Sequence, residues 1–338
     1  MVQLNKSILF LLFFLSEVIA IDYDGLSING YTTLGFTYSD NKNTYYKVDN
    51  TSYKTNGSSS HKLLTDAGLQ LNYNYENFDF TYQASWRENN NDNFNTDYLN
   101  LKYSRENDFI RVGRMRLPVY AYNDLLHIKS AYTWTHVPSD LYSLTTSNVD
   151  GIEYYRNFLF KGYLIDLSLV HGDSPRHKDQ NLGETFVDAR VTSINSLRLG
   201  FDKDNYHVSS SYVSGKYNFE ASIINDFNNL LDQLVAPINS DASNFVNELK
   251  NKYTLDQKNI TSYSLSFNYD YDYLINSEYI NINIDDNVLM SEINAFYVNV
   301  GYRFDNFTPY IMYAKRNQKK YNTTDDENKL KQYADVIS

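Results

Sequence analysis

The sequence predicts an all-β protein, a transmembrane antiparallel β-barrel, and three observations carry that expectation. Segments of about ten residues alternate apolar and polar side chains along most of the chain. Six very short polar turns are bracketed by aromatics: Tyr75–Phe78, Tyr103–Phe109, Tyr155–Phe158, Phe201–Tyr206, Tyr269–Tyr273 and Phe304–Phe307. The connections between successive turns are longer and polar. Short turns on one side, long loops on the other and aromatic girdles at both interfaces are what a bacterial outer-membrane barrel requires.

Residues 1–20 read as a signal peptide. Lys6 supplies the positive start, Ile8–Leu15 the apolar centre, and Val18-Ile19-Ala20 ends in a small residue for cleavage. The mature domain is then 21–338, exported through the periplasm to the cell outer membrane. That apolar stretch is too short to cross a bilayer as a helix, and no other stretch comes close. A mean hydropathy of -0.53 is compatible with a barrel, because only alternate residues meet lipid. The 33 Tyr and 19 Phe suit interfacial girdles and exclude a disordered chain. With no Cys there is no disulfide framework, and a net charge of -11 argues against a nucleic-acid partner.

About thirteen strands follow in order. The first lies near Leu26–Tyr38, with Ile28, Leu34 and Phe36 against Asn29, Thr33 and Thr37, and a long loop at 39–61 follows. The second sets Ala67, Leu69, Leu71 and Tyr73 against Gly68, Gln70, Asn72 and Asn74; the third sets Phe78, Phe80, Tyr82, Ala84 and Trp86 against Asp79, Thr81, Gln83, Ser85 and Arg87. Such a two-residue period does not fit a helix. Later strands centre on Leu99–Tyr103, Phe109–Leu117, Val149–Tyr155, Tyr163–Leu169, Leu197–Phe201, Val208–Tyr212, Tyr263–Tyr269, Tyr273–Ile282, Ile293–Phe304 and Phe307–Arg316. Thirteen is odd, the last strand rises, and the tail KLKQYADVIS lacks a terminal aromatic. Because single-chain bacterial barrels use even strand counts, sixteen strands are expected when complete, with a C-terminal truncation here; a miscounted barrel of twelve or fourteen is the alternative.

The fifth strand reads Arg111-Val-Gly-Arg-Met-Arg-Leu-Pro118. Two mid-strand arginines facing lipid would each cost about 2–4 kcal/mol, so Arg114 and Arg116 are expected to face the lumen. Arg111, nearer the turn, can snorkel to the interface. Arg87 and Lys102 extend the same wall into a basic ladder. A connection at about 118–148 then breaks the pattern and is too apolar to hang in water, with Tyr120, Leu125, Leu126, Tyr132, Trp134 and Leu141. Folded inward, it would narrow the lumen and set Asp124, Asp140 or Glu153 opposite the arginines, creating a transverse field. Two other readings stay open: the arginines pair with lumenal carboxylates, and the loop packs on outer loops. A second insertion, about 219–252, carries helical spacing around Pro237 and reads as a lid, a partial plug or two helices on the rim.

With these residues in view, the chain resembles a Gram-negative porin, in which a long loop after the fifth strand folds inward against an arginine cluster. More narrowly, 111–124 (RVGRMRLPVYAYND) and 147–155 (SNVDGIEYY) resemble an uncharacterised porin-like family of proteobacteria. The resemblance implies passive diffusion of small hydrophilic solutes and ions, outer-membrane lipid and lipopolysaccharide as surroundings, a homotrimer, and no cofactor. Catalysis is not expected: His61, His127, His136, His171, His177 and His207 lack ligand spacing, and no G-x-S-x-G occurs. The competing function is an adhesin or receptor barrel acting through its outer loops.

Overall fold

The computed structural model describes residues 21–38, 45–48, 51–54, 59–60, 65–87, 94–134, 137–142, 146–175, 177–182, 185–285, 287–289, 292–319 and 322–337. The stretch read as a signal peptide and most of the 39–61 loop lie outside the described residues. Fourteen strands form one continuous antiparallel path in chain order, each pairing with the next. They are β1 Ile21–Tyr23, β2 Leu26–Thr33, β3 Asp66–Tyr75, β4 Phe78–Arg87, β5 Phe94–Ser104, β6 Asp108–Arg116, β7 Asn148–Phe160, β8 Tyr163–Asp173, β9 Thr185–Lys203, β10 Tyr206–Ala221, β11 Leu255–Asp270, β12 Tyr273–Ile284, β13 Ile293–Tyr302 and β14 Tyr310–Gln318. A short strand, His177–Leu182, also pairs with β9. Strands β1 and β14 end the path and are not paired with each other among the described residues.

Alternation divides the sheet into two faces. One exposes large apolar side chains, among them Leu69, Leu99, Val112, Leu169, Leu265 and Val298. The other buries polar ones, including Gln83, Asn100, Ser168, Ser211, Ser264 and Asn299. Aromatics collect on the exposed face at the short-turn end, where Phe78 meets Tyr103 at 5.0 Å and Tyr206 meets Tyr269 at 4.8 Å. An exposed apolar face over a polar one is the inverse of a water-soluble β-sandwich and is the pattern of a barrel in lipid.

Turn chemistry explains two departures from the sequence reading. Strand β7 runs through 155–158 without turning, and the reversal falls at Lys161-Gly162, with φ of 50° and 81°. A two-residue hairpin of this kind needs positive φ at both central positions, and Gly162 adopts it without strain. Asp24-Gly25 does the same between β1 and β2, adding a turn that aromatic bracketing did not mark. Strands β9, β10 and β11 are also much longer than their apolar centres, at 19, 16 and 16 residues.

Helices α1 (Ser222–Leu230) and α2 (Ser240–Tyr253) lie between β10 and β11, and α3 (Thr324–Ile337) follows β14. Asn239 caps α2 by accepting from the Ala242 N–H at 2.8 Å. Phe245, Val246 and Leu249 of α2 pack with Leu231 and Val235, and Leu330 and Tyr333 of α3 cover them.

Candidate functional site

The residues with site chemistry meet where the 117–142 segment, described at 117–134 and 137–142, lies against the polar face. Its neck is closed by Asn123, whose side-chain amide donates to Leu117 O and, at 3.1 Å, to Ser147 O. Val119 O then accepts from Ser211 Oγ at 3.1 Å and from Ser264 Oγ at 2.7 Å, on β10 and β11. Glu278 of β12 accepts from the Ala121 N–H at 3.0 Å and from Tyr142 Oη at 2.8 Å, tying both ends of the segment to one carboxylate. Tyr122 Oη donates to Asn268 Oδ1 at 3.1 Å and accepts from Asn276 Nδ2 at 2.8 Å. Trp134 meets the Tyr297 ring edge-on at 6.1 Å.

The same segment is bonded to the opposite end of the strand order. Lys129 pairs with Asp66 of β3 at 3.2 Å, and Tyr98 of β5 donates to Asp124 at 2.9 Å. Thus one segment is fastened to β3 and β5 on one side and to β10–β13 on the other. Apolar packing accompanies these bonds: Leu117, Val119, Leu126, Val137 and Leu141 join Ile280, Ile282 and Tyr297 in one buried cluster. This explains why so apolar a connection is stable outside the strands: its side chains fill a core instead of facing water.

The basic residues are distributed differently from the ladder inferred from sequence. Register sets Arg111 opposite Lys102 and Glu153, on the polar face, and Arg111 meets Glu153 at 3.5 Å. Arg114 lies opposite Leu99 and Asp150, two residues beyond the exposed Val112, and so shares the apolar face. Its guanidinium forms two bonds to Asp150, at 2.6 and 2.7 Å. The cost argument that turned Arg114 inward assumed an isolated charge near the bilayer centre; a bidentate partner at the strand's loop end removes that assumption. Arg116, the last residue of β6, turns to Asp97 at 3.3 Å and to Asn148 at 2.6 Å. Gly113, with φ of 123°, interrupts the extended backbone before it.

Arg87 also binds Asp97, at 2.7 Å, so one buried carboxylate serves two guanidiniums. Lys102 binds Asp79 at 2.8 Å. Asp124 is held by Tyr98, Glu153 sits on the strand next to Arg111, and Asp140 is exposed with no ion pair among the described residues. The arginines therefore meet near-neighbour carboxylates, as strands about 4.8 Å apart readily allow. His127 is buried beside this group; burial, reinforced by Arg87, Arg116 and Lys129, pushes its imidazole well below the usual histidine range. Burial, together with Glu278, pushes the Tyr142 phenol well up.

Asp97, Glu278, Ser211 and Ser264 were not singled out from sequence. Alternation in the sequence already sets Ser264 on the polar phase of its strand without giving it a role; Glu278 and Ser211 stand on the same phase of theirs, so extending that reading would have found them. Asp97 lies at a register slip between β4 and β5, which alternation does not mark. Among the described residues no cluster of His, Asp and Glu could hold a metal ion.

No family model matches the chain, and no curated protein matches it by sequence, so the narrower resemblance of 111–124 and 147–155 has no support at that level. Solved structures do match. The outer-membrane channel DcaP of Acinetobacter baumannii is 12% identical, with a TM-score of 0.51, covering 87% of this chain and 80% of that one. OmpF of Salmonella typhi, in complex with daunomycin, is 13% identical, with a TM-score of 0.51, covering 90% and 83%. At such low identity the likeness concerns fold, and together with the strand path it leads to one conclusion: the chain has the fold of a Gram-negative outer-membrane porin.

Proposed function

We propose that the protein is an outer-membrane channel through which small hydrophilic solutes and ions diffuse passively. The observation that carries this reading is the 117–142 segment, fastened to both sides of the polar face by Lys129–Asp66 and by the bonds to Ser211, Ser264 and Glu278. In a barrel whose apolar face meets lipid, the polar face lines the bore, and a segment crossing it narrows the passage. Below that segment the wall presents paired charges: Lys102 with Asp79, Arg111 with Glu153 and Arg198 with Asp166. Ordered charge of both signs favours polar solutes and rejects apolar ones. In this reading the mature chain reaches the outer membrane through the periplasm, sits among lipid and lipopolysaccharide, assembles as a homotrimer and performs no catalysis.

The test is single-channel recording of the protein in planar bilayers. Discrete open steps are expected, and Glu278→Ala combined with Tyr142→Phe should raise their conductance by releasing the segment. Unchanged conductance in that variant would count against the segment as the narrowing element, and an inserted but electrically silent protein would sink the channel. A second reading is favoured by the apolar packing of Trp134 and Leu141 against Ile280 and Tyr297, which suits a filled bore. There the barrel is an adhesin or receptor acting through its outer loops. It predicts electrical silence together with cell binding that disappears when 39–61 is trimmed.

A further inference from the structure

The exposed apolar face is not uniform. Across β7–β10 it carries a cavity of about 430 Å³. Leu169 and Leu197, which are register partners, form its floor, and Tyr154 and Tyr212 stand on either side of them. His171 and Asn195 form the roof, joined through Nδ1 and Oδ1 at 3.0 Å. One row further toward the loop end lie two ion pairs, Arg114 with Asp150 at 2.6 Å and Arg190 with Asp173 at 3.1 Å. The register of β9 and β10 slips between Thr192 and Asn195, with Ser193 at a φ of 51°. A bulge of this kind re-aims side chains and bends the strand locally.

From floor to rim the groove thus passes from leucine, through aromatic flanks, to the hydrogen-bonding groups of His171 and Asn195, and then to charges that are already paired. We infer that this groove binds one acyl chain of an outer-leaflet lipid, with the uncharged ester, amide or hydroxyl linkage of that lipid at His171 and Asn195. The inference rests on the barrel reading, because it needs this face in lipid. A lipid is favoured over a second copy because Leu169 and Leu197 continue an apolar surface that also includes Leu69, Leu99, Leu265 and Val298, a belt instead of an isolated patch. The zoning also matches a lipid, whose chain is apolar and whose linkage region hydrogen-bonds without net charge. The pairing of Arg114 and Arg190 with carboxylates leaves the rim suited to such a linkage more than to a phosphate.

The experiment reconstitutes the full-length protein in dioleoylphosphatidylcholine vesicles doped with a phosphatidylethanolamine that carries a diazirine on one acyl chain. After irradiation, labelled peptides are mapped by mass spectrometry. Label concentrated on 152–171 and 195–212 is expected, with loss of that excess when Leu169→Trp and Leu197→Trp fill the groove. Leu265→Trp, on the same face away from the cavity, should leave the excess in place. Even if the filled variant fails to insert, the distribution on the unaltered protein decides the matter. Equal labelling of every outward strand overturns the groove but not the barrel. Protection of the groove, accompanied in a parallel photo-oxidation with a ruthenium complex and persulfate by dityrosine cross-links between copies at Tyr154 or Tyr212, assigns it to a subunit contact and also overturns the inference. No labelling on any strand overturns the barrel reading itself.

Discussion

Replacing Asp97 with asparagine would separate a wall held together by ion pairs from one that presents free arginines. Asp97 accepts from Arg87 at 2.7 and 3.0 Å and pairs with Arg116 at 3.3 Å. The Arg116 and Asp97 side chains are each only 3% exposed, so water does little to screen the group. The substitution keeps the shape and removes the charge, leaving two guanidiniums without their shared counter-ion. Breaking a buried pair in this way costs about 3–5 kcal/mol. In urea titrations of protein folded into vesicles, the unfolding free energy should fall by that order. The wall also gains one uncompensated positive charge. An ion passing about 8 Å away would feel about 2 kcal/mol at an effective dielectric of about 20, reduced to about 0.8 kcal/mol by one Debye length of screening. In planar bilayers under a salt gradient, an anion gains and a cation loses that amount, a difference of about 1.6 kcal/mol, which should move the permeability ratio about fifteenfold toward anions. An unchanged unfolding free energy and reversal potential would refute the assignment of Asp97 as the group that neutralises this wall.

Because His127 is buried with its imidazole pushed below the usual range, it binds fewer protons folded than unfolded. The contribution of His127 to stability is therefore complete above its unfolded pKa of about 6.5 and falls as pH drops below it toward the lower folded value. The thermal midpoint should decline with acid below about pH 6.5, and His127→Asn should flatten that decline; an identical slope in both proteins would remove His127 from the account. Val112 is exposed on the apolar face between Leu101 and Ile152, so Val112→Arg should cost about 2–4 kcal/mol in vesicle-folded protein if that face meets the bilayer centre. No cost would mean that lipid does not cover it. Asn239→Ala removes the cap of α2 and should weaken that helix by about 1 kcal/mol, read as faster amide exchange at 240–243 with channel conductance unaltered.

Much of the architecture was legible because its causes are local. A two-residue period exposes one face of any extended segment, whatever lies beside it, and the short polar turns limit which strands can be neighbours. The sequence by itself therefore determined the antiparallel meander, most of its turns and the apolar face. Bracketing aromatics at 155–158 mimicked a turn because girdle aromatics also stand within strands; the true reversal at Lys161-Gly162 is set by the φ that Gly162 permits.

The site depended on information that no local window contains. Glu278 meets Ala121 and Tyr142 across 157 and 136 positions, and Ser264 meets Val119 across 145. Only the curvature of the sheet brings these residues together. The fate of each arginine followed the same rule. The transfer cost of a lone charge assigned Arg114 to the polar face, whereas pairing with Asp150, a carboxylate 36 positions away, lets it stay on the apolar one. Alternation says which residues share a face of one strand; which of them meet, and which charges are already neutralised, is decided by register and by what folds back over the sheet.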